Sequence, residues 1–189
     1  MKIYTKTGDK GKTSLYDGNV VRKTSYVFDV LGEIDELSSR LGIAISFDEN
    51  NTISEELRTI QKTLQDINSI LATYEKQKRK NLPSIDEEKI NHLEQSIDIF
   101  TETTPPLSRF ILPGVTQVDA HLHLSRSQTR KIERMLWVFV ENHSIEMENK
   151  TIHNQLDTVV LRYFNRLSDF FFAAARYVCA KNGQSDCFL

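Results

Sequence analysis

Arg126, Arg130 and Arg134 stand four residues apart in the stretch LSRSQTRKIERML. On a helix that spacing lines three guanidinium groups along one stripe, where like charges repel by about 0.2–0.5 kcal/mol per pair unless an anion compensates them. Guanidinium forks bind phosphate and carboxylate oxygens in pairs, and Glu133, three residues after Arg130, is placed to hold one fork or to meet a ribose hydroxyl. The plain alternative is a solvated basic face.

A second candidate opens the chain. The stretch TKTGDKGKTSLYDG, residues 5–18, contains GDKGKT, which has two residues too few between its glycines for the phosphate loop GxxxxGK[ST]. Only MKIY precedes the stretch, and no helix-forming pattern follows it directly, so a nucleotide-binding P-loop is excluded on context as well. Its chemistry still suits polyphosphate: Gly8 and Gly11 let backbone N–H groups approach an anion closely, while Lys6, Lys10, Lys12, Thr7 and Thr13 offer charge and donors. A mobile polar arm is the other reading of the same residues.

Two further groups are polar residues in helical surroundings. FNRLSDFFFAAAR places Asn165, Arg166 and Asp169 within about one turn of an otherwise apolar run. Arg166 and Asp169 suit an intrahelical ion pair, whereas Asn165, donor and acceptor together, suits a ligand. In GEIDEL, Glu33, Asp35 and Glu36 have the character of a solvent face; Asp35 gains a role only if it meets the arginine stripe. Metal chemistry finds little support: Glu-x-x-His is absent from the sequence, and His121 and His123, two apart, point to different sides of a helix.

Positioning these groups falls to long helices. Seven glycines and four prolines are few for 189 residues, and they cluster at 8–18, at Pro83 and between Pro105 and Gly114. Apolar residues recur in steps of three and four from Ser25 to Ser46. A second helix follows a capping box of Thr52 and Glu55 and runs through Tyr74 to the charged tract EKQKRKN, read as a solvated helix end. A third follows Ser84 and Glu87 and stops before Pro105. A fourth spans Val118 to His143 and a fifth Thr151 to Lys181. The fold class expected is all-α, a five-helix bundle in one domain.

Bulk properties narrow the function. A net charge of −2 argues against a nucleic-acid binder with a broad basic field. The apolar run FFFAAARYVCA is short and interrupted by Arg176, which argues against membrane insertion. Two cysteines, Cys179 and Cys187, without CxxC spacing or a secretory leader, fit a reducing, cytoplasmic setting.

Five blocks, TKTGDKGKTSL, GEIDELSSRLG, RFILPG, LHLSRSQTRKIER and FNRLSDFFFAAAR, stand in one order between residue 5 and about residue 176. In these blocks the chain resembles the PduO-type ATP:cob(I)alamin adenosyltransferases. The resemblance implies a ferritin-like five-helix bundle that assembles as a homotrimer, with substrates ATP and cobalamin bound between subunits and Mg2+ on the phosphates. The chain would then divide into an ATP-binding loop, 1–22, the bundle, 23–181, and a tail, 182–189.

Carried onto this sequence, the resemblance assigns the triphosphate to the loop Thr5, Lys6, Thr7, Gly8, Asp9, Gly11, Lys12 and Thr13, together with Lys23. It assigns the rest of ATP to Arg130, Glu133, Arg134 and Asn165 of the next subunit. Asp35 would pair across the interface with Arg130, and Phe110 would crowd the lower face of the corrin and help displace its lower ligand. A reductase and an adenosylcobalamin-dependent enzyme are the implied partners. The chain departs from the family pattern at Val115, where a second glycine is usual after LPG, and at Lys131, where a second arginine is. Ser125, Asp119 and His121 stand where small or apolar residues are frequent. A helical protein that carries ATP or adenosylcobalamin without turnover is the rival reading, and a purely structural bundle a third.

Overall fold

The computed structural model describes Tyr4 and residues 6–74, 82–142, 144–147, 150–153 and 156–189. Thr5 and the tract EKQKRKN, residues 75–81, lie outside the described residues. Five helices carry the architecture: α1 (Tyr26–Phe47), α2 (Ser54–Leu71), α3 (Glu87–Glu102), α4 (Gln117–Asn142) and α5 (Thr158–Lys181). Three small antiparallel ribbons accompany them. They pair β1 (Lys12–Ser14) with β2 (Val20–Arg22), β3 (Ile111–Leu112) with β6 (Cys187–Phe188), and β4 (Ser144–Met147) with β5 (Lys150–His153). The expected five-helix, all-α bundle is the fold observed.

Helix α5 packs against α4 and α3, and α1 packs against α4 and α2. The core is built from the apolar stripes read in the sequence: Val27, Val30, Ile34, Leu37 and Leu41 of α1 meet Leu122, Ile132 and Leu136 of α4 in one buried cluster. Burying each such side chain fully contributes about 1.5–3 kcal/mol. Helix α5 is buried almost all round, with Tyr163, Phe164, Leu167, Phe170, Phe171 and Ala174 inside. Phe100 of α3 seals that side, its ring 5.7 Å from Phe170 and 4.4 Å from Tyr177.

The helix starts correct the sequence reading. Asp48, not the Thr52 and Glu55 capping box, supplies the start of α2: its carboxylate accepts from Thr52 N at 3.0 Å, Ile53 N at 2.9 Å and Ser54 Oγ at 2.7 Å. Helix α2 ends at Leu71, with Tyr74 buried beyond it. For α3 the cap is Asp86, which accepts from Lys89 N, rather than Ser84 with Glu87.

Helix α5 begins at Thr158, seven residues after the expected Thr151, because residues 150–153 pair as β5 with β4 and the Asp157 carboxylate caps Val159 N at 3.0 Å. The β-branched pair Thr151 and Ile152 suits a strand better than a first helical turn. The capping box that does exist opens α4. Asp119 N donates to Thr116 Oγ1 at 3.1 Å, and Thr116 N donates back to the Asp119 carboxylate.

Candidate functional site

From Lys6 on, the opening loop is folded, not a loose arm. A single 3-10 turn, Thr7–Lys10, is entered through Lys6 at φ 61° and left through Gly11 at φ 76°, a conformation that a side chain at Gly11 would strain. Lys23 N donates to Gly11 O at 2.9 Å, and the Lys23 ammonium lies over Gly8, where an added Cβ would come within 3.1 Å of it. The register sets Lys12 opposite Arg22 and Thr13 opposite Val21. Lys6, Asp9, Gly11, Lys12 and Lys23 are exposed, Gly8 and Thr13 half-buried. The structure thus sets Lys6 and Lys12 at the two ends of a short glycine turn and brings against it Lys23, the cation that the resemblance assigned from outside the stretch.

The hairpin is pinned to the bundle from below. Leu15 and Val21 enter the core, Tyr16 N donates to Ala72 O at 3.1 Å, and the buried Asp17 carboxylate accepts from Asn19 N at 3.0 Å and Tyr74 N at 2.6 Å. The end of α2 therefore fixes where the glycine turn sits.

A second cluster lies on α4 and α5. Asn165 Nδ2 donates to Glu133 Oε1 at 3.0 Å, and both residues line a groove of about 350 Å³ with Trp137, Leu161 and Arg162. Arg130 and Arg134 are exposed one turn apart beside Glu133. Among the described residues neither has an ion-pair partner, so the stripe is open to an anion. Arg166 serves a structural purpose: it bridges Glu94 and Asp169, each at 2.9 Å, the second being the expected intrahelical pair.

Asp35 lies elsewhere, in a shallow groove of about 420 Å³ between α1 and α2 with Tyr16, Phe28 and Asn68. Glu33, about 200° away around α1, meets α4 instead, pairing with Lys131 and accepting from Gln128. Asp35 thus faces away from the helix that carries Arg130. A larger cleft of about 490 Å³ between α2 and α3, lined by Glu55, Glu56, Asp86 and His92 among others, contains none of the predicted side chains.

Phe110 stands at the other end of α4, 83% exposed, just before β3. Leu189 N donates to Phe110 O at 2.9 Å, extending the β3 and β6 ribbon by one bond. Below it Asp119 is 2% exposed, its oxygens accepting from Gly114 N at 3.1 Å and from Thr116. Asp119 therefore shapes the turn after LPG, where Gly114 has φ 107°. His121 stacks on Phe47 at 5.9 Å, while His123 is 5% exposed with its edge toward Phe172. Burial first, then the Arg126 guanidinium, holds the His123 imidazole below its usual pKa against the opposing pull of Asp119 and Asp186. Burial, joined by those two carboxylates, pushes the Cys179 thiol up to about 12, which rules it out as a thiolate nucleophile at neutral pH.

Sequence reasoning missed one pair in this region. Arg176 is 7% exposed and binds Asp186, Nε to Oδ2 at 2.9 Å, and the Pro105 carbonyl, at 2.6 Å. The available signal was an arginine inside FFFAAARYV, which needs a partner if it is buried.

Comparison with known proteins supplies the family. Residues 3–178 match the family model described as cobalamin adenosyltransferase. A corrinoid adenosyltransferase of Bacillus subtilis is 40% identical over 193 residues, covering 98% of this chain and 91% of its own. The human corrinoid adenosyltransferase MMAB is 38% identical over 190 residues, covering 98% and 72%. Among solved structures, a variant PduO-type ATP:corrinoid adenosyltransferase from Lactobacillus reuteri, complexed with cobalamin and ATP, superposes with a TM-score of 0.86 at 35% identity, covering 100% of this chain and 96% of that one.

Proposed function

This chain belongs to the cobalamin adenosyltransferase family, and on that premise we propose that it transfers the 5′-deoxyadenosyl group of ATP to the cobalt of cob(I)alamin in a site shared by neighbouring subunits of a trimer. Corrinoid adenosyltransferase is its enzyme class, and ATP and cobalamin are its substrates.

The observation that supports the shared site is the placement of Asp35. It occupies the groove between α1 and α2, while Arg130 lies on α4, which meets α1 through Glu33 on the opposite side. An Asp35 and Arg130 pair therefore requires two chains. The glycine turn, Thr5 to Thr13 with Lys23, wraps the triphosphate from one subunit, and Arg130, Glu133, Arg134 and Asn165 hold the nucleotide from the next. The loop, bundle and tail act as one unit.

In the reaction the cobalt(I) lone pair attacks the ribose 5′-carbon. A cobalt–carbon bond forms, the carbon–oxygen bond to the α-phosphate breaks, and its electron pair leaves on triphosphate. Negative charge accumulates on the leaving oxygen, which is where cations and backbone N–H groups stabilise the transition state. Holding carbon and cobalt in line supplies much of the remaining acceleration. No proton needs to move. Among the described residues no three His, Cys, Asp or Glu side chains stand together as a metal cage. Mg2+ enters this reading as the counter-ion of the triphosphate.

Phe110 crowds the lower face of the corrin. Without its lower donor the cob(II) state is easier to reduce to cob(I). The product serves an adenosylcobalamin-dependent enzyme, and the electron comes from a reductase. We place the reaction in the cytoplasm. Among the described residues no helix is long and apolar enough to cross a membrane.

The test is anaerobic incubation with ATP and chemically reduced cobalamin. The expected result is the absorbance change of a new cobalt–carbon bond with release of one triphosphate per turnover, and loss of about 100-fold in rate for Arg130→Ala. Tight binding of either substrate without triphosphate release would overturn the reading in favour of a carrier.

A further inference from the structure

How Phe110 is held decides whether it can displace the lower ligand, a role that rests on the function proposed above. An aromatic side chain that is 83% exposed can displace a ligand only if its backbone is fixed from behind. Residues 105–110 form no regular element, and β3 beyond them is two residues long, too short to hold itself. Three contacts supply the rigidity. Ile111 and Leu112 pair with Phe188 and Cys187, Leu189 N donates to Phe110 O at 2.9 Å, and the Arg109 guanidinium lies over the Phe188 ring at 5.6 Å. Two of them come from the strand β6 and the third from Leu189, the residue that follows it.

That strand is held in turn by one arginine. Arg176, in the last turns of α5, reaches the Asp186 carboxylate at 2.9 Å, immediately before β6, and the Pro105 carbonyl at 2.6 Å, at the start of the Phe110 connector. The two side chains are 7% and 10% exposed. A guanidinium buried to that extent and hydrogen-bonded to both segments fixes their separation, and removing one partner leaves a buried charge uncompensated.

We propose that Arg176 and Asp186 are positioning residues for lower-ligand displacement: by clamping β6 against the Phe110 connector from the side of the rigid helix α5, they set the height at which the Phe110 ring meets the corrin. Neither residue touches the reacting atoms. Their contribution lies in the step where the lower nitrogen donor leaves cob(II)alamin, before reduction, and not in the attack of cob(I) on ATP, since cob(I) carries no lower ligand.

The test separates those two steps. Full-length Asp186→Ala, Asp186→Asn and Asp186→Glu are compared with wild type in two anaerobic assays. One starts from chemically pre-reduced cob(I)alamin, the other from cob(II)alamin with a reduced flavin as the one-electron donor. The expected result is adenosylation within about twofold of wild type in the first assay and about tenfold slower in the second for Ala and Asn, with Glu recovering most of the rate. Electron paramagnetic resonance of cob(II)alamin bound with ATP supplies an independent readout. The nitrogen splitting of the lower base disappears in wild type and persists in Asp186→Ala. Equal slowing in both assays, or loss of the nitrogen splitting in every variant, would overturn the proposal. If Asp186→Ala fails to fold, Asn, nearly isosteric, carries the same comparison. Wild type inactive from pre-reduced cob(I)alamin would instead count against the function proposed above.

Discussion

Asn165 Nδ2 donates to Glu133 Oε1 across 3.0 Å, tying α5 to α4 beside the open Arg130 and Arg134 stripe. The bond fixes which end of the Asn165 amide faces outward: the carbonyl oxygen remains free to accept. Replacing Asn165 by Asp sets a carboxylate against Glu133 and removes the donor. Asn165→Asp is expected to weaken ATP binding about tenfold or more, equivalent to about 1.4 kcal/mol, with Glu133→Gln much milder because it keeps an acceptor. Calorimetric titration with Mg-ATP checks both.

The placement of Asp35 and Arg130 on different faces of the bundle carries a second prediction. Asp35→Ala and Arg130→Ala are each expected to lower activity severely as pure proteins. When the two are unfolded and refolded together, some interfaces unite the intact Arg130 of one variant with the intact Asp35 of the other. For random head-to-tail mixing about a quarter of sites are restored, so activity should rise toward about a quarter of wild type. An unchanged mixture would place both residues in one chain's site.

Much of this was legible in the sequence because helical period and core burial are the same fact seen twice. Val27, Val30, Ile34, Leu37 and Leu41 recur in steps of three and four and all end buried. The motif residues were legible as chemistry, since four-residue spacing must put Arg130 and Arg134 on one stripe. Helix starts were less so. Thr52 and Glu55 have capping-box spacing, yet Asp48, four residues earlier, takes the donors, because a carboxylate held by a preceding turn outcompetes a hydroxyl. Strands β3 and β6 were illegible for another reason. Ribbons of two residues have no period, and this one joins residues 111 and 188, a pairing that only the folded bundle brings together.

Asp48 itself gives a third prediction. Burial alone would raise its pKa, but hydrogen bonds from Ile53 N, Ser54 Oγ and Thr52 N outweigh that and hold it below its ordinary value. A carboxyl with a depressed folded pKa stabilises the fold above its unfolded pKa, near 4, and loses that contribution as pH falls through the folded value. Asp48→Ala leaves two backbone donors and one hydroxyl without their acceptor. The expected loss is about 1–3 kcal/mol at neutral pH, shrinking in acid, as measured by urea denaturation at several pH values.

His123 titrates in the opposite region and with its own sign. Its imidazole is buried beside Arg126, and both burial and that charge disfavour the protonated ring, while Asp119 and Asp186 only partly offset them. The unfolded chain therefore binds a proton at His123 more readily than the folded chain does. As pH falls below the unfolded value, about 6.5, that difference pulls the equilibrium toward unfolding, by at most about 1.4 kcal/mol per pH unit. Stability from this group is present above pH 6.5 or so and is lost as pH falls through the lowered folded pKa. His123→Gln, which does not titrate, should be less stable than wild type at pH 8 through poorer packing against Phe172, yet lose less on acidification. Denaturant midpoints measured from pH 8 to pH 5 test this. Parallel slopes for the two proteins would show that His123 is not the group that titrates, whereas a flatter slope for His123→Gln assigns the acid sensitivity to the end of the bundle that carries Phe110.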